Sequence, residues 1–264
     1  MLKERIISAI SMLSIFSIGF FMEEPWLFML LVSIVSFIAL DELSHLLKLK
    51  NLQKIIFLAI SLLSFIFFSR SNFIDIKNIL YASLIFWVFF VPFHFRLKSQ
   101  LPKNINLLYG FILIIPLWIS ITFLFSYNKF LLLFILISIF IADIGAYFSG
   151  KKFGKHKLMK DVSPGKTIEG VIGAALLNVF FAIALGLYAQ IDLWLLIAAT
   201  LLITLLSVVG DLYESLLKRL AGIKDSGSII PGHGGVLDRI DGFCAVIPIF
   251  TLILINFNVL DMFL

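Results

Sequence analysis

The sequence is dominated by apolar runs of about 17 to 25 residues, which short polar stretches separate. A helix of that length rises about 1.5 Å per residue and crosses a hydrocarbon core of about 30 Å. Only 14% of the residues are charged and 61% are hydrophobic, whereas soluble globular chains carry about 25% charged residues. The pattern predicts an all-α protein, a polytopic integral membrane helical bundle.

About nine transmembrane helices fit the apolar runs. Their windows are 6–22, 26–47, 54–69, 79–95, 107–126, 130–149, 170–189, 193–221 and 242–262. We divide the chain into residues 1–130, with about five helices, and residues 131–264, with the other helices and two cytoplasmic loops, 150–169 and 222–241. Most of the ionisable groups in apolar surroundings belong to the second half, so any chemistry is predicted there.

The positive charges favour one side of the membrane. With the N-terminus inside, the inside loops hold 18 of the 21 Lys and Arg residues, and only Arg70, Lys77 and Lys129 lie outside. This bias follows the positive-inside rule and predicts an N-in, C-out topology. The net charge of +5 does not indicate nucleic-acid binding, because no soluble domain carries it. The single cysteine, Cys244, excludes a disulfide within the chain and a Cys-based metal cage.

Carboxylates interrupt the apolar runs, and each costs about 2.5 to 3.5 kcal/mol near the middle of a membrane. Asp41 and Glu42 lie near the inner end of their run, where a solvated helix end explains them. Asp143 and Asp211 lie deeper, Glu214 follows Asp211 on the same helix, and Asp238 and Asp241 open the last helix; these carboxylates also require an explanation.

Two helices are expected to present aspartates together. Positions i, i+3, i+4 and i+7 share one helix face, and here they are Asp211, Glu214, Ser215 and Lys218. Asp238 and Asp241 are three apart and begin the last helix. An alternative is an ion-paired bundle in which Asp211 pairs with Lys218 or Arg239 and holds the helices in register.

Three aspartates beside clustered cations suit Mg²⁺ and phosphate, because Mg²⁺ takes oxygen ligands and commonly shares them with substrate phosphates. Five cations near the inner face are expected to bind a nucleotide and an anionic lipid headgroup; they are Lys166, Lys218, Arg219, Lys224 and Arg239. In "PGHGG", Gly234 and Gly235 would let backbone N–H groups approach a phosphate, although a flexible turn has the same composition.

Two familiar motifs do not apply. "SPGKTIEG" contains Gly165, Lys166 and Thr167, but a phosphate-binding P-loop requires glycine at position 160, where this chain has Lys160. "RIDG" is followed by the apolar "FCAVIPIF", which lacks the further residues of the CDP-alcohol phosphotransferase signature.

The segment "SLLKRLAGIKDSGSIIPGHGGVLDRID", residues 215–241, resembles the signature of the phosphatidate cytidylyltransferases, also called CDP-diacylglycerol synthases. Upstream, "ADIGAYFSGKKFGKHKL" and "SPGKTIEG" also resemble this family, with local substitutions at "DIG" and "PGK" that remove no charged group. The resemblance covers residues 140–242 strongly, and residues 1–130 only in hydropathy and at Glu42.

The resemblance implies that CTP and phosphatidate react to give CDP-diacylglycerol and pyrophosphate, with Mg²⁺ and a second cation such as K⁺ as cofactors. It implies metal binding by Asp211, Asp238 and Asp241. It implies phosphate contacts from Lys218, Arg219, Lys224 and Arg239, and a phosphate contact or proton transfer by His233. The other implied substrate-binding residues are Ser163, Lys166, Thr167, Ser215, Gly234, Gly235 and Asp143. For Asp143 two roles stay open, binding a metal or orienting a lysine.

The family further implies a homodimer in the cytoplasmic (inner) membrane of a bacterial-type cell, with its site facing the cytoplasm and membrane lipids around it. Three other classes remain open from the residues. They are an ion-coupled transporter, a CTP-dependent membrane lipid kinase and a structural membrane subunit. Transport predicts flux without nucleotide, the kinase predicts CDP as product, and a structural subunit predicts tolerance of Asp241→Asn.

Overall fold

Helices form most of the chain in the computed structural model, which describes residues 2–22, 24–69, 73–99, 103–232 and 234–257. The helices are α1 Leu2–Phe21, α2 Pro25–Leu46, α3 Asn51–Phe68, α4 Phe73–Ile85, α5 Val91–Leu97, α6 Lys103–Tyr127, α7 Lys129–Phe153, α8 Ile168–Ala189, α9 Leu193–Ala221 and α10 Leu237–Asn256. A π-helical turn, Phe86–Phe90, joins α4 to α5. The described residues therefore contain nine uninterrupted helical segments, each overlapping one predicted window.

Seven of these described segments are long and apolar enough to cross a membrane. They are Pro25–Leu46, Asn51–Phe68, Ile76–Leu97, Gly110–Tyr127, Lys129–Phe153, Ile168–Ala189 and Leu193–Ala221. The apolar part of α1, Ile10–Phe21, is shorter. The prediction of a polytopic all-α membrane protein is confirmed, and the N-in, C-out orientation stays a prediction.

The packing divides the chain into two compact units. The first comprises Met1–Tyr127 with Leu217–Ile240, and the second comprises Asn128–Leu216 with Asp241–Leu264. The end of α9 and the loop after it thus group with the N-terminal helices, which no pattern in the sequence indicates.

Aromatic side chains fill the core of the first unit. Phe28 of α2 stacks on Phe125 of α6 with ring centroids 4.0 Å apart, and Phe20 of α1 packs edge-on against Phe125 at 5.6 Å. The Trp118 indole N–H donates to Ser33 Oγ at 2.9 Å, which satisfies the polar atom of a buried ring. These contacts connect three helices whose apolar faces the sequence already indicated.

Polar side chains and close backbone contacts hold the second unit together. The Asn178 side-chain amide of α8 donates to the Ser138 carbonyl oxygen of α7 at 3.1 Å and to Thr204 Oγ1 of α9 at 2.7 Å. A Cβ placed on Gly145 of α7 would lie only 2.8 Å from Ala174 Cα of α8. The α7 and α8 backbones therefore touch, as small residues allow in membrane helix pairs.

Replacing Gly145 by Leu is expected to lower the free energy of unfolding by about 1–3 kcal/mol, because the added side chain forces the two backbones apart. Unfolding in detergent, followed by circular dichroism, measures the effect. Gly165→Ala is the matched control, since a Cβ on Gly165 has no atom within 4 Å. If Gly145→Leu unfolds like Gly165→Ala, the close packing of α7 on α8 is wrong.

The segment predicted as a cytoplasmic loop, residues 150–169, is instead largely ordered structure. Helix α7 continues to Phe153, and an antiparallel hairpin of β1 Lys157–Met159 and β2 Ser163–Thr167 follows. The His156 imidazole Nδ1 lies 2.6 Å from Glu169 Oε1. Thr167 Oγ1 accepts the Gly170 N–H at 3.1 Å and caps α8. The hairpin fixes the direction of Lys166.

Candidate active site

An ion pair joins the hairpin to α9 within the second unit. The Lys166 Nζ lies 2.5 Å from Asp211 Oδ2. Ser215, one turn further along α9, donates its hydroxyl to Asp211 Oδ1 at 3.4 Å. Lys166 is thus a cation that Asp211 contacts within the second unit, and the alternative pairing of Asp211 with Lys218 or Arg239 stays a prediction.

Helices α9 and α10 cross closely beside Asp211 and Asp241. A Cβ on Gly210 would lie 2.6 Å from the Asp241 carbonyl oxygen and 3.0 Å from Gly242 Cα. No larger residue fits at position 210 without separating the helices. Asp211 follows Gly210 and Asp241 precedes Gly242. The close approach of the two helices therefore places Asp211 and Asp241 near each other.

Asp241 belongs to a group of charges. It interacts electrostatically with Asp211 and Asp143, which are acidic, and with Lys166, which is basic. Its Oδ1 accepts the Gly242 N–H at 2.7 Å. Carboxylate oxygens are the donors that Mg²⁺ prefers. Among the residues that the structure describes, however, no three His, Cys, Asp or Glu side chains have the arrangement of a metal site.

A second Lys–Asp pair lies in the first unit. Lys218 Nζ donates to Asp238 Oδ1 at 2.6 Å, and the two side chains are only 12% and 5% exposed. Asp238 Oδ2 accepts the N–H groups of Ser226 and Gly235, each at 2.9 Å. Asp238, predicted as a metal ligand, thus holds a lysine and two backbone donors of the preceding loop.

The glycine loop uses its N–H groups internally. The Gly234 N–H donates to the Ile230 carbonyl oxygen at 3.2 Å, and the Gly235 N–H donates to Asp238. Gly234 has φ +89°, in the left-handed region that favours glycine, and a Cβ there would lie 2.8 Å from Asp238 Oδ2. The two glycines therefore shape the loop around Asp238, and the predicted contact of their N–H groups with phosphate stays a prediction.

Glu42 is buried, so its interpretation as part of a solvated helix end is wrong. It is 3% exposed, whereas its neighbour Asp41 pairs with Lys54 at 2.6 Å and is partly exposed, as a solvated helix end requires. The helical spacing of the neighbouring apolar residues could have predicted this burial. Ala39 and Leu46, at i−3 and i+4 from Glu42, are apolar and buried, so Glu42 belongs to the inward face of α2.

The other predicted site residues lie in several settings. Arg219 is exposed and donates from a guanidinium nitrogen to the Ile223 carbonyl oxygen at 3.4 Å. Lys224, Arg239 and Asp143 are exposed, and Ser163 is partly exposed. The Thr167 hydroxyl is committed to capping α8. His233 lies outside the described residues.

Comparison with known proteins places the chain in a family. A model of the cytidylyltransferase family matches residues 3–257. The chain belongs to the cytidylyltransferase family. This family member is 34% identical to the phosphatidate cytidylyltransferase of Haemophilus influenzae over 282 aligned residues, which cover 95% of this chain and 98% of the relative.

Two staphylococcal relatives of this cytidylyltransferase are similar over shorter alignments. The phosphatidate cytidylyltransferase of Staphylococcus aureus is 39% identical over 154 residues, 56% of this chain and 59% of the relative. That of Staphylococcus epidermidis is 41% identical over 127 residues, 47% of this chain and 49% of the relative. The family membership identifies a nucleotidyltransferase, which agrees with the resemblance found in residues 215–241.

Proposed function

We propose that the protein is a phosphatidate cytidylyltransferase, which converts CTP and phosphatidate to CDP-diacylglycerol and pyrophosphate. The observation that carries the proposal is the end-to-end similarity to the Haemophilus influenzae phosphatidate cytidylyltransferase. An alignment that covers 95% of one chain and 98% of the other includes every helix, not one shared motif. The ion-paired lysines support the proposal, because both substrates carry phosphate groups.

The reaction needs no nucleophile from the protein. A phosphate oxygen of phosphatidate attacks the α-phosphorus of CTP, a new P–O bond forms, and the bond between the α-phosphorus and the bridging oxygen breaks. The bond electrons leave with pyrophosphate. Catalysis then depends on positioning the two substrates and on neutralising the charge that develops on the phosphate oxygens.

The lysines are suited to that neutralisation. Lys166 and Lys218 are each held by an aspartate, at 2.5 Å and 2.6 Å. An ammonium fixed in this way loses little freedom when it binds phosphate. The exposed Arg219, Lys224 and Arg239 provide further positive charge for the triphosphate and the lipid headgroup. We include His233 as a phosphate contact or as the group that protonates pyrophosphate.

We propose Mg²⁺ as the metal, which would neutralise charge at the reacting phosphates. Asp211 and Asp241 have oxygen donor atoms and interact electrostatically. We propose them as ligands, with Asp238 as a third and a second cation such as K⁺ nearby. Asp143 contributes negative charge and orients Lys166.

The location follows from the substrates. CTP is cytoplasmic, so we propose that the site faces the cytoplasm in the inner membrane of a bacterial cell, as the positive-inside pattern indicates. Phosphatidate keeps its acyl chains in the bilayer while its phosphate reaches the site. We also propose that the protein works as a homodimer.

Two labelled forms of CTP test the function. Purified protein in detergent with phosphatidate and Mg²⁺ is expected to move label from [α-³²P]CTP into CDP-diacylglycerol and to release label from [γ-³²P]CTP as pyrophosphate. A parallel reaction with diacylglycerol tests the kinase alternative. Transfer of the γ label to lipid would identify a CTP-dependent lipid kinase and refute the proposal, as would ion flux in liposomes without any nucleotide turnover.

A further inference from the structure

Glu42 is a buried carboxylate that the proposed reaction does not use. It lies on α2 and accepts three hydrogen bonds from residues far along the chain. The Ser226 hydroxyl donates to its Oε2 at 2.8 Å, the Val236 N–H to its Oε1 at 3.0 Å, and the Leu237 N–H to its Oε2 at 2.8 Å. A buried carboxylate is stable only with such donors, so Ser226, Val236 and Leu237 have to lie beside it.

The loop has the residue types that this closure requires. A Cβ on Gly227 or on Gly235 would collide with the Glu42 carboxylate. Both positions carry glycine, which lets the backbone pass directly over the carboxylate oxygens. The loop is therefore fitted to Glu42 by shape as well as by hydrogen bonds.

Glu42 also completes the first turn of α10. Val236 precedes that helix and Leu237 begins it. The N–H groups at a helix N-terminus have no acceptor within their own helix, and a carboxylate there is favoured by the helix dipole. The register at which α10 begins is thus fixed by an acceptor on α2.

Ser226 connects Glu42 to the Lys218–Asp238 pair. Its hydroxyl donates to Glu42 and its N–H donates to Asp238. Asp238 in turn holds Lys218 at 2.6 Å. Two carboxylates therefore hold the loop together, and one of them positions a lysine that we assign to the substrates.

We propose that Glu42 is a positioning residue for cytidylyl transfer: it binds Ser226 and the start of α10 at Val236 and Leu237, and so fixes Asp238 and Lys218. The proposal rests on the proposed function for its catalytic part. Its structural part, the binding of the loop by Glu42, is independent of that function.

Amide hydrogen exchange tests the structural part. In Glu42→Ala the Val236 and Leu237 amides are expected to exchange about tenfold faster or more, because hydrogen bonds to charged groups are among the stronger ones and no helix acceptor replaces them. Glu42→Gln keeps one carbonyl acceptor and should be intermediate. Amides in the middle of α7 and α8 should keep their protection, which distinguishes local release from general destabilisation.

Initial rates with CTP and phosphatidate test the catalytic part. Turnover is expected to follow the same order, wild type above Glu42→Gln above Glu42→Ala, with a loss of about tenfold or more in the last. Adding Ser226→Ala to Glu42→Ala should cause little further loss, since the hydroxyl then has no carboxylate to hold. Asp41→Asn is the matched control, because it removes the same charge from the adjacent, partly exposed position.

The outcomes separate the structural part of the proposal from its catalytic part. Unchanged exchange at Val236 and Leu237 in Glu42→Gln and in Glu42→Ala would refute binding of the loop by Glu42. Faster exchange with wild-type turnover would refute the positioning role. A loss in Asp41→Asn equal to that in Glu42→Ala would also refute it. If wild-type protein makes no CDP-diacylglycerol, the proposed function fails, and the exchange data still decide whether Glu42 holds the loop.

Discussion

Asp241→Asn is expected to lower turnover by about 10²-fold to 10³-fold, the loss seen when one preorganised electrostatic group is removed from an active site. The substitution keeps the shape of the side chain and replaces one carboxylate oxygen beside Asp211 and Lys166 by an amide nitrogen, which is a poor ligand for Mg²⁺. The remaining activity should need a higher Mg²⁺ concentration. Initial rates over a Mg²⁺ titration, with helicity and elution volume to verify folding, measure both effects.

Asp192→Asn is the control, because it makes the same Asp-to-Asn substitution at another helix. Asp192 Oδ1 accepts the Leu195 N–H at 2.7 Å at the start of α9, and asparagine caps helices equally well. Its turnover and Mg²⁺ requirement should remain those of the wild type. A folded Asp241→Asn protein with wild-type turnover and Mg²⁺ dependence would contradict the proposed metal role.

Lys218→Met is expected to cost about 3 kcal/mol of unfolding free energy and most of the activity. Removing one partner of a buried ion pair leaves a charge without compensation, which costs about 3–5 kcal/mol. The lower end is expected here because Ser226 and Gly235 still donate to Asp238. Denaturant titration in detergent and initial rates measure the two losses. Adding Asp238→Asn should destabilise the protein less than additively.

An exposed pair of the same length is the control. Lys54 and Asp41 are also 2.6 Å apart, but their side chains are 26% and 38% exposed. Exposed ion pairs contribute about 0–1 kcal/mol, so Lys54→Met should change stability little. If Lys218→Met lowers the free energy of unfolding no more than Lys54→Met, the Lys218–Asp238 pair does not stabilise the protein as predicted.

The sequence was sufficient to predict the helices, because few backbone structures can span a bilayer. Backbone polar groups in hydrocarbon must be satisfied within the chain, so a long apolar run can only form a helix there. The windows 26–47 and 193–221 therefore overlap α2 and α9 closely. Helical spacing also placed Asp211 and Ser215 on one face of α9. In the structure Ser215 Oγ lies 3.4 Å from Asp211 Oδ1.

Contacts between distant residues were not predictable in the same way. Lys166 was assigned to the substrate, and nothing in its local sequence indicates that its hairpin directs it to Asp211. Asp238 was assigned to the metal, and its local sequence does not indicate that Lys218, Ser226 and Gly235 all donate to it. Polar segments such as 150–169 lack the strong periodicity of the apolar runs, so the short hairpin within it was missed.

The distance in sequence between Glu42 and its partners has a consequence for biosynthesis. Val236 and Leu237 follow Glu42 by 194 and 195 residues, so α2 enters the membrane long before the ribosome has made the donors for its carboxylate. A nascent chain that ends before position 226 has none of the three donors, Ser226, Val236 and Leu237, so it carries an unsatisfied acid among apolar helices, which is costly. The residues that bind Glu42 are thus made long after α2, and chains that lack them are expected to be unstable.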